Sequence, residues 1–293
     1  MKDFPLPVRV VGAGSQPAEE EELQYMPMPR EMSTFSMPRV PERADPDALR
    51  AARAVLADFL GRLEAWDPDG NERGPRITLT GVPPVVLTLV NEMLGEGEVS
   101  IRVDAERAYC IQESVFTGLW RVCALDGEGR IADDWIEAGP VPPVVIDVAR
   151  AAAASAPPLV NVPPGAMNSP ALLTELGSQM ASRRPGAPAH VINLTLFPMT
   201  PEDHLVMEQA LPNGPVAMIS RGFGNCHITS TSLRDVWRVQ YFNSMKTLIL
   251  NTVEVVDVPA VALAAAEDLV ESRERLTELV AWVDETIAGS VAH

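Results

Sequence analysis

The chain has 293 residues, which is enough for one large domain or two small ones. Apolar residues make up 46% and charged residues 22%, which is typical of a globular chain and excludes a disordered one. It also excludes a membrane protein, because no stretch approaches the roughly 18 apolar residues that a spanning helix needs. The 40 acidic and 23 basic residues give a net charge of −17, which disfavours a nucleic-acid partner and favours a basic peptide or protein.

The chain contains three cysteines, Cys110, Cys123 and Cys226, and no CxxC pair. This number and spacing argue against a disulfide framework, a zinc ribbon or a rubredoxin-type iron site. The first ten residues, MKDFPLPVRV, lack the apolar segment of a secretory signal. We therefore expect a cytoplasmic protein without a cofactor.

Residues 1–44 have the composition of an extended arm, with seven prolines and five of the 12 methionines. No helix or strand period is present there. Methionine and proline suit an arm that lies over a surface of its own chain or of a partner, with Met26, Met28 and Phe35 as candidate contacts. A mobile tail is the alternative.

Regular elements begin at Asp45-Pro46, which is a good helix start, and apolar residues then recur every three or four positions up to Leu63. A strand at 77–80 and a helix at 84–94 follow. Short β-type runs come next, at 100–104, 109–115, 119–125 and 130–137, with a hairpin turn at 126–129. A proline- and alanine-rich connector then follows, with a short helix near 146–154.

An internal repeat is the most informative feature. A shift of 117 residues aligns 77–142 with 194–259 without a gap. The shared residues include Trp120-Arg121-Val122 and Trp237-Arg238-Val239. Matched glycines and prolines accompany them, so chance is a poor explanation.

The repeat predicts an α+β fold, a tandem duplication of a helix plus antiparallel-sheet unit with pseudo-two-fold symmetry. We assign 1–44 to the arm, 45–142 to the first unit, 143–169 to the connector and 170–293 to the second unit. A C-terminal helix at about 267–287 carries one apolar face, and we expect it to pack on the second unit.

Positions that the copies share are best explained by folding, so Trp120 and Trp237 are predicted core residues. Positions that differ are candidates for function. The second copy has Asn225, Cys226 and His227 after a glycine-rich turn. Cys226 and His227 suggest a nucleophile or a metal ligand, although neighbours on a strand point to opposite faces.

Cys110 matches His227 in the alignment, so pseudo-symmetry could bring them together as a metal site. Two ligands are fewer than a structural zinc site uses, and a buried thiol beside a hydrogen-bonded histidine is the alternative.

Two further segments of the second copy are candidates for partner binding. Thr229 and Thr231 belong to a polar run that we interpret as a β edge able to present hydroxyls to a peptide, or as ordinary strand surface. Gln240, Tyr241, Phe242 and Asn243 resemble a hairpin apex with large side chains. No GxSxG, HExxH or Walker motif is present, so the sequence predicts that the protein is not an enzyme.

Residues 222–259, GFGNCHITSTSLRDVWRVQYFNSMKTLILNTVEVVDVP, closely resemble the C-terminal region of the HupH/HyaF family of hydrogenase expression proteins. The arm at 25–42, YMPMPREMSTFSMPRVPE, is similar to the N-terminal segment of that family.

This resemblance implies an accessory protein or chaperone in the maturation of an uptake NiFe-hydrogenase. Such a protein would bind the iron–sulfur small-subunit precursor before export, beside a thioredoxin-like accessory protein. One competing hypothesis is a thiol- or metal-dependent enzyme, or an iron–sulfur transfer protein, that uses Cys226 with His227 or Cys110. Another is a general scaffold that joins other accessory proteins without direct contact with the hydrogenase.

Overall fold

The computed structural model describes residues 44–70, 73–151, 153–222 and 224–291. These residues form six helices: α1 (Pro46–Glu64), α2 (Pro84–Leu94), α3 (Pro143–Ala151), α4 (Ser169–Ser182), α5 (Pro201–Ala210) and α6 (Ala266–Val291). They form ten strands: β1 (Arg76–Thr78), β2 (Val99–Val103), β3 (Tyr109–Glu113), β4 (Leu119–Leu125), β5 (Ile131–Ala138), β6 (His190–Asn193), β7 (Asn213–Ser220), β8 (Asn225–Thr231), β9 (Val236–Phe242) and β10 (Leu248–Val255).

All ten strands lie in one sheet, in the order β1-β5-β4-β3-β2-β7-β8-β9-β10-β6, and each neighbouring pair is antiparallel. Each copy supplies five strands, and the order of the second copy mirrors that of the first. The copies join where β2 pairs with β7, from Val99 opposite Ser220 to Val103 opposite Val216. The predicted α+β duplication with pseudo-two-fold symmetry is therefore confirmed.

Local chemistry explains where α1 begins. The Asp45 carboxylate accepts a hydrogen bond of 3.0 Å from the backbone N–H of Ala48, and Pro46 occupies the first turn, where its missing N–H costs nothing. The apolar positions predicted for this helix are buried: Leu49, Ala52, Leu56, Phe59, Leu60 and Leu63. The sequence therefore predicted both the start of α1 and its buried face correctly.

The two matched tryptophans form the same contact in each copy. Trp120 and Trp237 are almost fully buried. The indole N–H of Trp120 donates to the carbonyl of Gly139 at 2.8 Å. That of Trp237 donates to the carbonyl of Val256, the counterpart of Gly139, at 3.2 Å, and also to the carbonyl of Asp257 at 3.1 Å. The prediction that both are core residues is confirmed.

The C-terminal helix α6 packs on the first copy, so the expectation that it packs on the second was wrong. Its Leu276 and Val283 belong to the same core cluster as Leu56 and Phe59 of α1. Arg53 of α1 also forms an ion pair of 2.7 Å with Asp284 of α6. Position in the chain suggested the second copy, but the segment after the second copy crosses back to the first.

The segment after the first copy crosses over in the same way. Val145 of α3 belongs to a core cluster that spans both copies and includes Val216 and Trp237 of the second. Arg150 forms an ion pair of 2.5 Å with Asp235 and a second one with Asp257. Each copy is therefore covered in part by the chain that leaves the other copy.

Candidate functional site

Five predicted site residues lie on β8: Asn225, Cys226, His227, Thr229 and Thr231. Their side chains alternate between the two faces of the sheet. Cys226 points into the core cluster that contains Trp237, and it is fully buried. His227 points to the other face, where its ring lies 4.8 Å from the ring of Phe242, centroid to centroid. The two side chains therefore cannot bind one ligand together.

The electrostatics of Cys226 oppose a nucleophilic role. Burial raises the pKa of its thiol to about 11, although the hydrogen bond with Tyr241 acts to lower it. Burial and the neighbouring Cys226 also raise the pKa of Tyr241 to about 12. Both groups are protonated at neutral pH, whereas attack requires a thiolate. Burial lowers the pKa of His227, so its imidazole is also uncharged at neutral pH.

The predicted meeting of Cys110 and His227 does not occur. Cys110 lies on β3 and His227 on β8, and β2 and β7 lie between them. Three strand spacings separate the two residues by about 14 Å. The pseudo-two-fold operation exchanges equivalent positions, and it brings them into contact only close to its axis. Within the described ranges, no group of three or more His, Cys, Asp or Glu side chains is placed to hold a metal ion.

The interpretation of 229–231 as a polar β edge was wrong. Strand β8 lies inside the sheet between β7 and β9, and the outermost strands are β1 and β6. Thr231 is buried, and its hydroxyl donates to the carbonyl of Val236 at 2.9 Å and accepts from the N–H of Leu233 at 3.1 Å. Thr229 is half-buried on the same face as His227. The Thr231 hydroxyl, which suggested an exposed edge, therefore stabilises the turn between β8 and β9.

The second predicted contact region is a hairpin apex, as expected. Gln240, Tyr241 and Phe242 end β9, and Asn243 begins the turn to β10. The Asn243 side chain accepts hydrogen bonds of 2.9 Å from the backbone N–H groups of Met245 and Thr247. Met245, at the tip, is 80% exposed.

The equivalent hairpin in the first copy is polar. Asp126 takes the place of Asn243, and Glu128 takes the place of Met245. Arg130 forms ion pairs with both acidic residues, at 3.1 Å and 2.9 Å. The charged tip of the first copy is thus self-contained, whereas the second copy presents an apolar side chain at the same position.

A 3-10 turn at Leu194–Leu196 adds to this apolar exposure. It packs beside β10, where the Thr195 hydroxyl accepts a hydrogen bond of 2.8 Å from the N–H of Asn251. Leu196 is 78% exposed, whereas its counterpart Leu79 is 1% exposed in the core cluster of α1, α2 and α6. We refer to the exposed apolar residues of these two segments together as the second-copy apolar surface: Leu196, Phe197, Met245, Leu248 and Ile249.

The structure pairs two cysteines that the sequence did not lead us to connect. Cys110 of β3 lies directly opposite Cys123 of β4 in the sheet. Both thiols are free and half-buried. The predicted strands at 109–115 and 119–125 form a hairpin that brings Cys110 near Cys123, and this was the signal that could have revealed the pair. The predicted ends alone would place Cys110 opposite Ala124, and the observed register differs from that by one residue.

One cavity of about 300 Å³ contains a buried carboxyl group. Glu113, Glu98 and Asp268 contribute to its lining, together with Ser220. Burial raises the pKa of Glu113 to about 7, although the backbone N–H of Gly118 donates to its carboxylate at 3.0 Å. Ser230 stands at the equivalent position of the second copy, so this carboxyl is specific to the first.

The arm residues Met26, Met28 and Phe35 lie outside the described residues. The predicted boundaries 1–44, 45–142, 143–169 and 170–293 remain predictions. Among the helices that the structure describes, none is long and apolar enough to cross a membrane.

Comparison with models of known protein families shows which family this chain belongs to. The model described as "HupH hydrogenase expression protein, C-terminal conserved region" matches twice, at residues 49–162 and 166–283. The chain belongs to the HupH family. The two matches begin 117 residues apart, since 49 and 117 add to 166, which is the shift of the internal repeat. The HupH region therefore occurs once in each copy.

Relatives of this HupH-family chain match it over most of its length. The hydrogenase expression/formation protein HoxQ of Cupriavidus necator is 44% identical, over 97% of this chain and 99% of that protein. The hydrogenase expression/formation protein HupH of Rhodobacter capsulatus is 40% identical, over 96% and 98%. The hydrogenase-1 operon protein HyaF of Escherichia coli is 37% identical, over 67% and 69%.

Proposed function

We propose that this protein is an accessory protein in hydrogenase maturation that binds the iron–sulfur small-subunit precursor of an uptake NiFe-hydrogenase before export. Family membership supports the general role, because the relatives are named for hydrogenase expression and formation. A binding role without catalysis agrees with the buried, protonated Cys226. The binding step takes place in the cytoplasm in this proposal.

The observation that carries the binding proposal is the difference between the two hairpin tips. Folding alone explains the features that the two copies share, and both copies form this hairpin. The second copy nevertheless exposes Met245 where the first has Glu128 within an ion-pair group. Exposed apolar groups on a protein surface are a common feature of protein–protein interfaces. We assign the second-copy apolar surface to the precursor.

Net charge supports the same partner. At −17 the chain attracts basic segments over distances comparable to the Debye length, about 8–10 Å at physiological salt. An unexported precursor still carries the basic start of its signal peptide, so charge would speed the encounter and the apolar surface would hold the complex. A thioredoxin-like accessory protein is the second partner in this proposal.

A matched pair of variants tests the apolar surface. Leu248 and Ile131 occupy equivalent positions, and they are 43% and 59% exposed. We expect Leu248→Ser combined with Met245→Glu to weaken binding of the purified precursor by about tenfold or more, corresponding to at least about 1.4 kcal/mol. Ile131→Ser is the control and should leave the dissociation constant unchanged. Equal effects from both copies would contradict the assignment.

The charge and arm contributions are tested on the same complex. We expect binding of the precursor to weaken at high salt and after deletion of residues 1–44. If neither change alters the dissociation constant, charge and the arm have no part in recognition.

A further inference from the structure

Cys110 and Cys123 occupy one cross-strand pair on β3 and β4. Paired residues of an antiparallel ladder carry their side chains on the same face of the sheet, so the two thiols are neighbours. Both are half-buried. In the second copy the equivalent positions hold His227 and Gln240, which also pair across strands. The dithiol is thus a property of the first copy.

The backbone hydrogen bonds fix the spacing of this pair. The N–H of Ser114 donates to the carbonyl of Leu119, and the N–H of Leu125 donates to the carbonyl of Ala108, both at 2.8 Å. Hydrogen-bonded pairs recur at every second position, so Cys110 and Cys123 form one. Their Cα atoms are therefore about 5.5 Å apart, within the range of 4.4–6.8 Å that a disulfide spans.

Two guanidinium groups flank the thiols. Arg121 places Nη1 3.6 Å from the Sγ of Cys123, and its ion-pair partner Asp134 lies 3.8 Å from the same sulfur. Arg102 lies opposite Cys110 on β2 and pairs with Asp104, whose charge raises the pKa of Cys110. Burial raises the pKa of both thiols, and these arginines oppose the effect. Both thiols are therefore mostly protonated at neutral pH. Because the thiolate is the reactive form, thiol–disulfide exchange at this pair should become faster as the pH rises.

We propose that Cys110 and Cys123 form a redox-responsive dithiol that converts reversibly to a disulfide by exchange with a low-molecular-weight disulfide. One thiolate attacks a sulfur of the small disulfide, whose S–S bond breaks and releases one small thiol. The second cysteine then attacks the protein-bound sulfur as a thiolate and releases the other small thiol. The two cysteine protons end on the two small thiols, so the protein is oxidised by two electrons and the small disulfide is reduced.

The same geometry makes the disulfide easy to reduce. The Cβ atoms of a hydrogen-bonded pair lie near the upper end of about 4.5–5.5 Å, whereas a disulfide prefers about 3.8 Å. Forming the bond must draw the strands together locally. Strained disulfides of this kind are labile and suit a reversible response better than a structural role.

Trypsin provides a direct assay. It cleaves after Arg107, Arg121 and Arg130, so a Cys110–Cys123 disulfide joins the peptides 108–121 and 122–130. We expect the full-length folded chain, treated with oxidised glutathione and alkylated, to yield this linked pair in most molecules. Formation should be faster at pH 9 than at pH 7, and dithiothreitol should reverse it. Cys226, buried and with a raised pKa, should remain reduced as an internal control.

Single variants separate the dithiol from two independent thiols. In Cys110→Ser or Cys123→Ser, the remaining cysteine has no partner and should keep a stable glutathione adduct, with the circular dichroism spectrum unchanged. The proposal is overturned if the folded wild-type chain carries separate glutathione adducts on both cysteines. It is equally overturned if both stay reduced at pH 9 under conditions that oxidise the urea-unfolded chain.

Discussion

Ile101 lies opposite Met218 at the centre of the sheet, and these two residues occupy the same position in the two copies. The neighbouring pairs are exchanged: Val99 pairs with Ser220, the counterpart of Val103, which itself pairs with Val216. The pseudo-two-fold axis therefore passes between Ile101 and Met218. The duplication has produced one continuous sheet and not two separate domains.

This symmetry makes each copy a control for the other. Contacts that occur twice, such as the tryptophan hydrogen bonds, belong to folding. Among the features that occur once are the second-copy apolar surface and the Cys110–Cys123 pair. The first supports partner binding, and the second supports the proposed dithiol response.

Phenylalanine at either matched tryptophan should destabilise the protein to a similar extent. Trp120→Phe and Trp237→Phe each remove a buried N–H that donates to a carbonyl, at Gly139 and at Val256. We expect the free energy of unfolding to fall by about 1–3 kcal/mol in each case, from the unpaired acceptor and the lost contacts. Urea denaturation measures it. A loss confined to one variant would contradict equivalent roles.

Glu113 should make stability fall as the pH rises. Burial raises the pKa of its carboxyl from 4.5 to about 7, so its contribution is complete below about pH 4.5 and lost as the pH rises through 7. The difference corresponds to about 3 kcal/mol. We expect Glu113→Gln to lose less stability than the wild type between pH 5 and 8, measured by urea denaturation. Parallel pH profiles of the two proteins would show that Glu113 does not titrate in this range.

Asp203 should have the opposite pH dependence. Burial raises its pKa, but hydrogen bonds outweigh burial and the pKa is lowered. Its carboxylate accepts from the backbone N–H and hydroxyl of Ser169 at 2.8 and 2.7 Å, and it closes the capping box with Thr200. Its contribution is present above about pH 4 and is lost as the pH falls.

The corresponding variants are Asp203→Ala and Asp203→Asn. We expect Asp203→Ala to lower the free energy of unfolding by about 3 kcal/mol at pH 7, because several buried donors lose a charged acceptor. Asp203→Asn should lose less additional stability than the wild type when the pH falls from 5 to 3. An unchanged acid-unfolding midpoint in Asp203→Asn would contradict this account.

Cys226→Ala separates the binding hypothesis from the thiol-enzyme hypothesis. Cys226 is fully buried, so the variant should lose about 1 kcal/mol of stability by leaving a small void. Hydrogenase maturation in cells should otherwise survive. Complete loss of maturation with a native circular dichroism spectrum would favour catalysis or cluster transfer through this thiol.

Patterns that depend on neighbours in the chain were predicted well. The Asp45 cap, the apolar face of α1 and the hairpin at 126–129 are local, and the repeat revealed the second copy from the first. These features follow from periodicity, capping and turn chemistry, which act over a few residues.

Features that depend on how the copies join were not predicted. The packing of α6 on the first copy follows from the crossing of the chain between copies, which no local pattern specifies. The position of β8 inside the sheet does not depend on that junction, because β7 and β9 of its own copy flank it. It was missed because the polar run Thr229–Thr231 has the composition of an edge. Cys123 was missed because its partner lies across a hairpin and not in a short motif.

The proposed binding of the hydrogenase small subunit before export can be tested directly. The most direct measurement uses it as bait in cells that express the hydrogenase operon, with mass spectrometry of the eluate. We predict recovery of the small subunit with its signal peptide intact, and loss of that product with Leu248→Ser and Met245→Glu combined. Recovery of the large subunit alone, or of neither subunit, would contradict the claim.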